Sequence, residues 1–198
     1  TLDGLIPPGV LENNPARAAT STAATLPSAY ADKARSILSS GGWVFDQKTN
    51  TWKKKKQVLQ LTLSTGAEPE LAATAQAVAT AWRAAGIKVT VHVYSLSDLN
   101  ANVMRPRAYE AVLFGEVVGR TLDLFAFWHS SQRNDPGLNL ALYATAKVDN
   151  LLSTARATTG RKDREKLYGQ FSSIVEQDRP AIFLYAPEFI YAVPRKLA

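Results

Sequence analysis

The stretch "QVLQLTLSTGAEPELAATAQAVATAWRAAGIKVTVHVYS", residues 57–95, decides the fold class. It opens with the β-rich run Val58–Leu63 and continues as an alanine-rich helix, which Pro69 can start and Gly86 can end. It closes with a second strand in which the valines alternate, at positions 89, 91 and 93. The order strand, helix, strand predicts a βαβ unit with parallel strands.

The flanking segments extend this unit. Downstream, "LSDLNANVM" predicts a short helix capped by Ser97, and a third strand follows around Ala111–Phe114. Upstream, "SAYADKARSILSSGG" predicts a helix, and "WVFDQKTNTWKKKKQV" predicts a hairpin across which Trp43 and Trp52 form a packing pair. We therefore expect an α/β fold with a mixed, largely parallel sheet flanked by helices.

The second half of the chain is richer in helix signals. "LDLFAFWHSS", "AKVDNLLSTARAT" and "DREKLYGQFSSIVEQD" predict helices, and "AIFLYAPEFIYAVP" predicts two short β segments broken at Pro187. Residues 1–27 are rich in Pro, Gly, Ser, Thr and Ala and predict an irregular arm leading into the domain. The predicted organisation is thus an arm over residues 1–27 and a single α/β lobe over residues 28–198.

Composition and charge limit the possible functions. The 198 residues include no cysteine, which excludes disulfides and thiol chemistry. The net charge of +6 suggests an anionic partner, but Lys53–Lys56 form the only dense basic run and no nucleic-acid motif accompanies it. The run is interpreted either as a solvated hairpin strand whose cations discourage edge pairing or as a patch for a polyanion. We expect no nucleic-acid partner. No apolar stretch approaches the roughly 20 residues that span a bilayer, and no signal peptide opens the sequence.

Signals for catalysis are nearly absent. His92 and His129 are the only histidines and lie far apart in sequence. Neither a GxxxxGK phosphate loop nor a GxSxG nucleophile motif occurs. Glu68 and Glu70 lie at a helix start, where carboxylates favour the helix dipole. We therefore expect no enzyme, no metal and no cofactor.

A candidate ligand site follows the third strand, in "GEVVGRTLD", residues 115–123. Open α/β sheets bind ligands beyond the carboxyl ends of their strands, and glycines let the backbone approach a ligand closely. Asp123 has an alternative role as a cap for the next helix. The rings of Phe125, Phe127 and Trp128 are expected to divide between the core and the site wall. The predicted ligand-binding residues are Glu116, Val117, Val118, Gly119, Arg120, Asp123 and Trp128.

Five motifs, taken in order, resemble one protein family. They are "GLIPPG", "ADKARSILSSGGWVFDQKTNTW", "LQLTLSTG…AQAVATAWRAAGIKVTVHV", "LDLFAFWHSS…LNLALYATAKVDNLL" and "DREKLYGQFSSIVEQDRPAIFLY". Together they resemble the second lobe of the family 5 extracellular solute-binding proteins, the dipeptide, oligopeptide and nickel-type receptors of ABC importers.

The resemblance implies a periplasmic-binding-protein-like lobe that helps to capture a peptide or other small solute for an importer permease. The first lobe of the same receptor would supply the other half of the cleft. The location implied is extracytoplasmic, with lipid anchoring and membrane association only through the full-length protein. Peptide-binding members carry an aspartate for the peptide amino group where this chain has Gly119, and the following Arg120 suits a carboxylate or phosphate instead. The alternative function is a stand-alone domain that binds a protein or anionic polymer through a basic face.

Overall fold

The computed structural model describes residues 5–6, 28–117 and 122–187. These residues fall into two compact units. The sheet unit comprises residues 28–117 and 134–136, and the helical unit comprises residues 5–6, 122–133 and 137–187. The single lobe predicted over residues 28–198 stays a prediction, and each unit is described by itself.

The sheet unit is built on three parallel strands. The strands are β4 (Gln60–Gly66), β5 (Lys88–Tyr94) and β6 (Ala111–Leu113), and β4 lies in the centre with β5 and β6 on either side. Leu61 pairs with Val89 in one ladder and Leu63 with Ala111 in the other. Helix α2 (Pro69–Ala84) connects β4 to β5. The predicted α/β fold with a parallel sheet flanked by helices is therefore confirmed.

Small residues let α2 lie close to the sheet. Ala75 and Ala79, on one face of α2, are fully buried against Leu63 and Val89. Trp82 is partly buried and packs against this cluster. The Arg83 guanidinium donates through Nε and Nη2 to the Val89 carbonyl at 3.1 and 2.8 Å, which fastens the end of α2 to β5.

A second, antiparallel sheet precedes the parallel one. Helix α1 (Ser28–Ser40) leads into strands β1 (Val44–Asp46), β2 (Thr51–Lys54) and β3 (Gln57–Val58). The expected Trp43–Trp52 pair is wrong, because β1 begins at Val44 and its register places Phe45 opposite Trp52. Their rings lie 5.1 Å apart.

Gly86 receives this aromatic pair. Its φ of +89° disfavours other residues, and a Cβ there would lie 2.7 Å from Phe45 Cε2 and 2.9 Å from Trp52 Nε1. The Trp52 indole also donates to the Ala85 carbonyl at 2.8 Å. Glycine at this position therefore lets the hairpin rest on the end of α2.

Leu59 joins the two sheets. The sequence predicts one strand from Val58 onward, whereas the chain pairs with β2 up to Val58 and with β5 from Gln60. Between them, the Leu59 N–H donates to the Trp52 carbonyl at 2.8 Å, and the Leu59 carbonyl accepts from Lys88 N–H at 3.0 Å. One residue thus belongs to both hydrogen-bonding patterns.

The predicted short helix before β6 has an unexpected form. Helix α3 (Leu96–Asp98) continues as a π-helical segment, Leu99–Met104. Its cap is Ser95 and not Ser97, since Ser95 Oγ accepts the Asp98 N–H at 3.2 Å. Leu99 and Val103 are buried on its inner side.

The helical unit contains three α-helices among its described residues. They are α4 (Phe125–Trp128), α5 (Ala146–Ala157) and α6 (Arg161–Asp178), and a 3₁₀ turn, Ser130–Gln132, follows α4. Buried side chains from these helices and from residues 5, 6, 122 and 124 form its core. The first predicted β segment near the C-terminus is wrong, because residues 181–187 pair with no described strand. The second segment lies outside the described residues.

Candidate functional site

The carboxyl ends of β4 and β6 lie side by side at one end of the parallel sheet, which is the edge meant below. From β4 the chain continues to β5 on one side of β4 and then to β6 on the other side, so the strand order reverses at β4. In open α/β sheets such a reversal opens a crevice between the two neighbouring strand ends. Ser64 and Thr65 are buried here, and Thr65 Oγ1 donates to the Leu113 carbonyl at 3.1 Å.

Glu116 lies just beyond this edge, three residues after the end of β6. Its Oε1 atom is buried and has no hydrogen-bond partner among the described residues. Burial raises the pKa of the Glu116 carboxyl to about 7. An unpaired buried oxygen at a strand end is a group that an incoming hydrogen-bond donor can satisfy.

The neighbours of Glu116 differ in how they are placed. The Val117 side chain is 89% exposed. Val118, Gly119 and Arg120 lie outside the described residues. Among the described residues, no atom lies within 4 Å of a Cβ built on Gly115, so these neighbours do not require glycine at this position.

Asp123 is already engaged by its own unit. Its Oδ1 accepts the Phe125 N–H at 3.2 Å, which holds the start of α4, the alternative role predicted from the sequence. Its Oδ2 accepts from Arg156 Nη2 at 2.6 Å, and the same guanidinium lies 4.3 Å from the Phe125 ring centroid. The Asp123 carboxylate therefore links α4 to α5.

Trp128 is a core residue of the helical unit. It is 4% exposed, and the rings of Tyr143, Phe171 and Phe183 surround it at centroid distances of 6.0–6.4 Å. Its indole Nε1 is buried and has no partner among the described residues. The predicted site residues are thus divided between the two units, with Glu116 and Val117 in one and Asp123 and Trp128 in the other.

A polar cluster that the sequence did not single out joins α4 to α5. The Ser130 N–H donates to Asp149 Oδ1 at 2.8 Å, and Ser130 Oγ donates to Asp149 Oδ2. His129 Nδ1 accepts the Ser131 N–H at 3.1 Å, while His129 Nε2 is 3.9 Å from Asp149. Although serine, histidine and aspartate side chains meet here, both Asp149 carboxylate oxygens accept hydrogen bonds from Ser130. The cluster therefore serves to hold α4 and α5 together.

Within the described ranges, no group of three or more His, Asp or Glu side chains is placed to hold a metal ion. In the same ranges, no helix is long and apolar enough to cross a membrane.

No family model matches the sequence. The chain is 28% identical over 167 residues to the oligopeptide-binding protein AppA of Bacillus subtilis (strain 168). The match covers 83% of this chain and 31% of AppA, so the chain spans less than a third of the curated relative that it matches.

Solved structures agree with this relationship. AppA of Bacillus subtilis in complex with a nonapeptide matches with a TM-score of 0.68 and 26% identity, over 75% of this chain and 30% of AppA. NikZ of Campylobacter jejuni in complex with Ni(L-His) matches in fold, with a TM-score of 0.65 and 23% identity, over 76% of this chain and 30% of NikZ. The resemblance carried by the sequence motifs is confirmed: the chain is homologous to part of the oligopeptide-binding protein AppA and shares the periplasmic-binding-protein-like fold of the family 5 solute-binding proteins.

Proposed function

We propose that this chain forms the second lobe of an extracytoplasmic receptor that captures a peptide or similar solute and delivers it to an ABC importer. The observation that carries the proposal is the homology to a part of AppA, a protein named for binding oligopeptides and solved with a nonapeptide. The partners proposed for this chain are the first lobe of the same receptor and the importer permease. A lipid anchor on the full-length protein is also part of the proposal. AppA is a binding protein, which agrees with the expectation that the chain is not an enzyme.

Glu116 is the described residue best suited to contact the solute. It follows the strand end at the reversal of strand order, and its Oε1 lacks a partner among the described residues. A ligand ammonium or amide N–H would supply the missing hydrogen bond, and an ammonium would also favour the ionised carboxylate. Arg120, which lies outside the described residues, remains the proposed anchor for a ligand carboxylate.

Protonation gives this contact a recognisable signature. Because the pKa of Glu116 is raised to about 7, the carboxyl is partly protonated at neutral pH. A cationic ligand that pairs with the carboxylate must displace that proton, so its affinity should rise between about pH 6 and pH 8. A neutral donor would show a weaker dependence.

The test begins with native mass spectrometry of the host-expressed protein that carries this chain, which identifies any solute retained on purification. That solute is then titrated by calorimetry against wild type and Glu116→Gln. We expect about a 10-fold or greater loss of affinity for Glu116→Gln, the usual scale for a hydrogen bond to a charged group. Glu176→Gln on α6, an exposed residue of the other unit, is the matched control and should bind as wild type.

Two outcomes distinguish the proposed receptor function from the proposed role of Glu116. Retention of a peptide-type solute with equal affinity in both variants would remove Glu116 from the site and leave the receptor function standing. If no solute is retained or can be titrated, and the protein binds a polyanion, the result would instead support the alternative of a domain that binds through its basic face.

A further inference from the structure

One segment of the sheet unit carries most of the net positive charge of the chain. Residues 28–58, which form α1 and the antiparallel sheet, carry seven cationic side chains and two carboxylates, a net charge of +5 out of +6 for the whole chain. We call the exposed side chains of this segment the lysine surface. The cationic residues of the segment are Lys33, Arg35, Lys48, Lys53, Lys54, Lys55 and Lys56.

Some of these cations are occupied within the segment. Arg35 lies 3.3 Å from Asp32, Lys53 pairs with Asp46, and the Lys54 ammonium donates to the Gly41 carbonyl at 2.8 Å. The other four ammonium groups have no hydrogen-bond or ion-pair partner among the described residues. These exposed lysines, which remain available to an external anion, are Lys33, Lys48, Lys55 and Lys56.

Two aliphatic side chains stand exposed among the lysines. Ile37 is 59% exposed and follows Lys33 by one helical turn, so both lie on the same face of α1. Val44 is 70% exposed and lies directly opposite Lys53, which places both on the same face of the sheet. The alternate residues Phe45 and Trp52 face Gly86, so the row containing Val44 points away from the body of the sheet unit.

We propose that the lysine surface docks on an anionic phospholipid bilayer. Juxtamembrane lysines attract anionic headgroups, and isolated aliphatic side chains between them can enter the headgroup layer. A specific protein partner fits less well, because protein interfaces are depleted in lysine and are anchored by aromatic residues and arginine. Here the paired aromatic residues Phe45 and Trp52 face inward. The proposal does not depend on which solute is captured, and it places a membrane contact in this chain where the sequence had predicted contact only through the full-length protein.

The experiment measures sedimentation of the 198-residue chain with vesicles of phosphatidylcholine alone or mixed with phosphatidylglycerol. We expect binding to the anionic vesicles only, with loss of binding at high salt. The triple variant Lys48→Gln, Lys55→Gln, Lys56→Gln should partition about 100-fold less, since each lysine near an anionic surface contributes about a 5-fold factor. A second variant, Ile37→Gln with Val44→Thr, should also weaken vesicle binding.

A matched control uses three exposed lysines of the helical unit. Lys147→Gln, Lys162→Gln, Lys166→Gln changes the net charge by the same amount and should bind vesicles nearly as wild type. Circular dichroism checks that every variant folds. Equal binding to neutral vesicles, an equal loss in the control, or no vesicle binding at all would overturn the proposal. So would the result that Ile37→Gln with Val44→Thr leaves vesicle binding unchanged, because the surface would then be a general polyanion binder.

Discussion

The two units differ in what fills their cores. The sheet unit packs small side chains, Ala75 and Ala79, against Leu63 and Val89. The helical unit packs large aromatic residues, among them Trp128, Tyr168 and Phe171. Parallel strands already hold each other through backbone hydrogen bonds, so a thin alanine interface is enough to cover them. Helices form no such backbone hydrogen bonds with one another, so the packing of the helical unit depends on the fit of large side chains.

The units also differ in their unpaired polar atoms. Among the described residues, two buried side-chain polar atoms lack a partner: Glu116 Oε1 in the sheet unit and Trp128 Nε1 in the helical unit. Each costs stability, since a buried polar group without a hydrogen bond is desolvated. The carboxyl can lower this cost by binding a proton, whereas the indole cannot. This difference makes Glu116 the candidate for function and Trp128 a tolerated defect of packing.

The largest effect should come from emptying the aromatic core. Phe171 is fully buried and contacts Trp128 at a centroid distance of 6.1 Å. Phe171→Ala should cost about 3–5 kcal/mol in the free energy of unfolding. Trp82→Ala in the sheet unit should cost less, because Trp82 is only partly buried. Urea unfolding followed by circular dichroism measures both. A larger loss for Trp82→Ala would reverse the comparison of the two cores.

The next effect concerns Glu116 and pH. Its pKa is raised from 4.5 in the unfolded chain to about 7 in the folded protein, so the folded state binds more protons between these values. Stability should therefore be highest below about pH 4.5 as far as this group is concerned, and should fall by about 2–3 kcal/mol as pH rises through 7. Glu116→Gln should remove this part of the pH dependence and stabilise the protein at pH 8. Unfolding curves at pH 5 and pH 8 give the change in the free energy of unfolding between the two pH values. An equal change for the variant and the wild type would contradict the assignment.

The smallest effects compare one glycine from each unit. Gly86→Ala should destabilise by about 1–3 kcal/mol, because the methyl group meets Phe45 and Trp52 at a φ of +89°. Gly169 lies inside α6, and no atom of the described residues lies within 4 Å of its Cβ position, so Gly169→Ala should stabilise by about 0.5–1 kcal/mol. Thermal unfolding should shift in opposite directions. A stabilised Gly86→Ala would show that the hairpin does not rest on Gly86 as described.

Local patterns in the sequence predicted the sheet unit well. Alternating valines, a proline at one helix end and a glycine at the other were enough for β4, α2 and β5. The π-helical segment Leu99–Met104 was not predictable, because the spacing of its buried residues, Leu99 and Val103, suits an α-helix equally well. The β-rich composition of Ala181–Leu184 failed as a predictor, since a strand needs a partner that composition alone does not supply.

The candidate site was only partly visible in the sequence. The rule that ligands bind beyond strand ends pointed to Glu116. That its Oε1 is buried and unpaired is a property of the folded chain, which no local sequence pattern encodes. Asp123 shows the converse, because its local role at the start of α4 was predictable, while its partner Arg156 lies 33 residues away.

The double role of Leu59 has a consequence for how this region can change in length. The turns at residues 47–50 and 55–56 join strands only at their ends, so added residues there leave both ladders intact. A single residue added beside Leu59 would instead reverse the alternation of everything that follows in β4, turning Leu61 and Leu63 away from α2 and bringing Thr62 and Ser64 towards it. Two added residues would restore the alternation but break the link between Trp52 and Lys88. Homologous chains should therefore vary in length at these two turns and keep the number of residues around Leu59 constant.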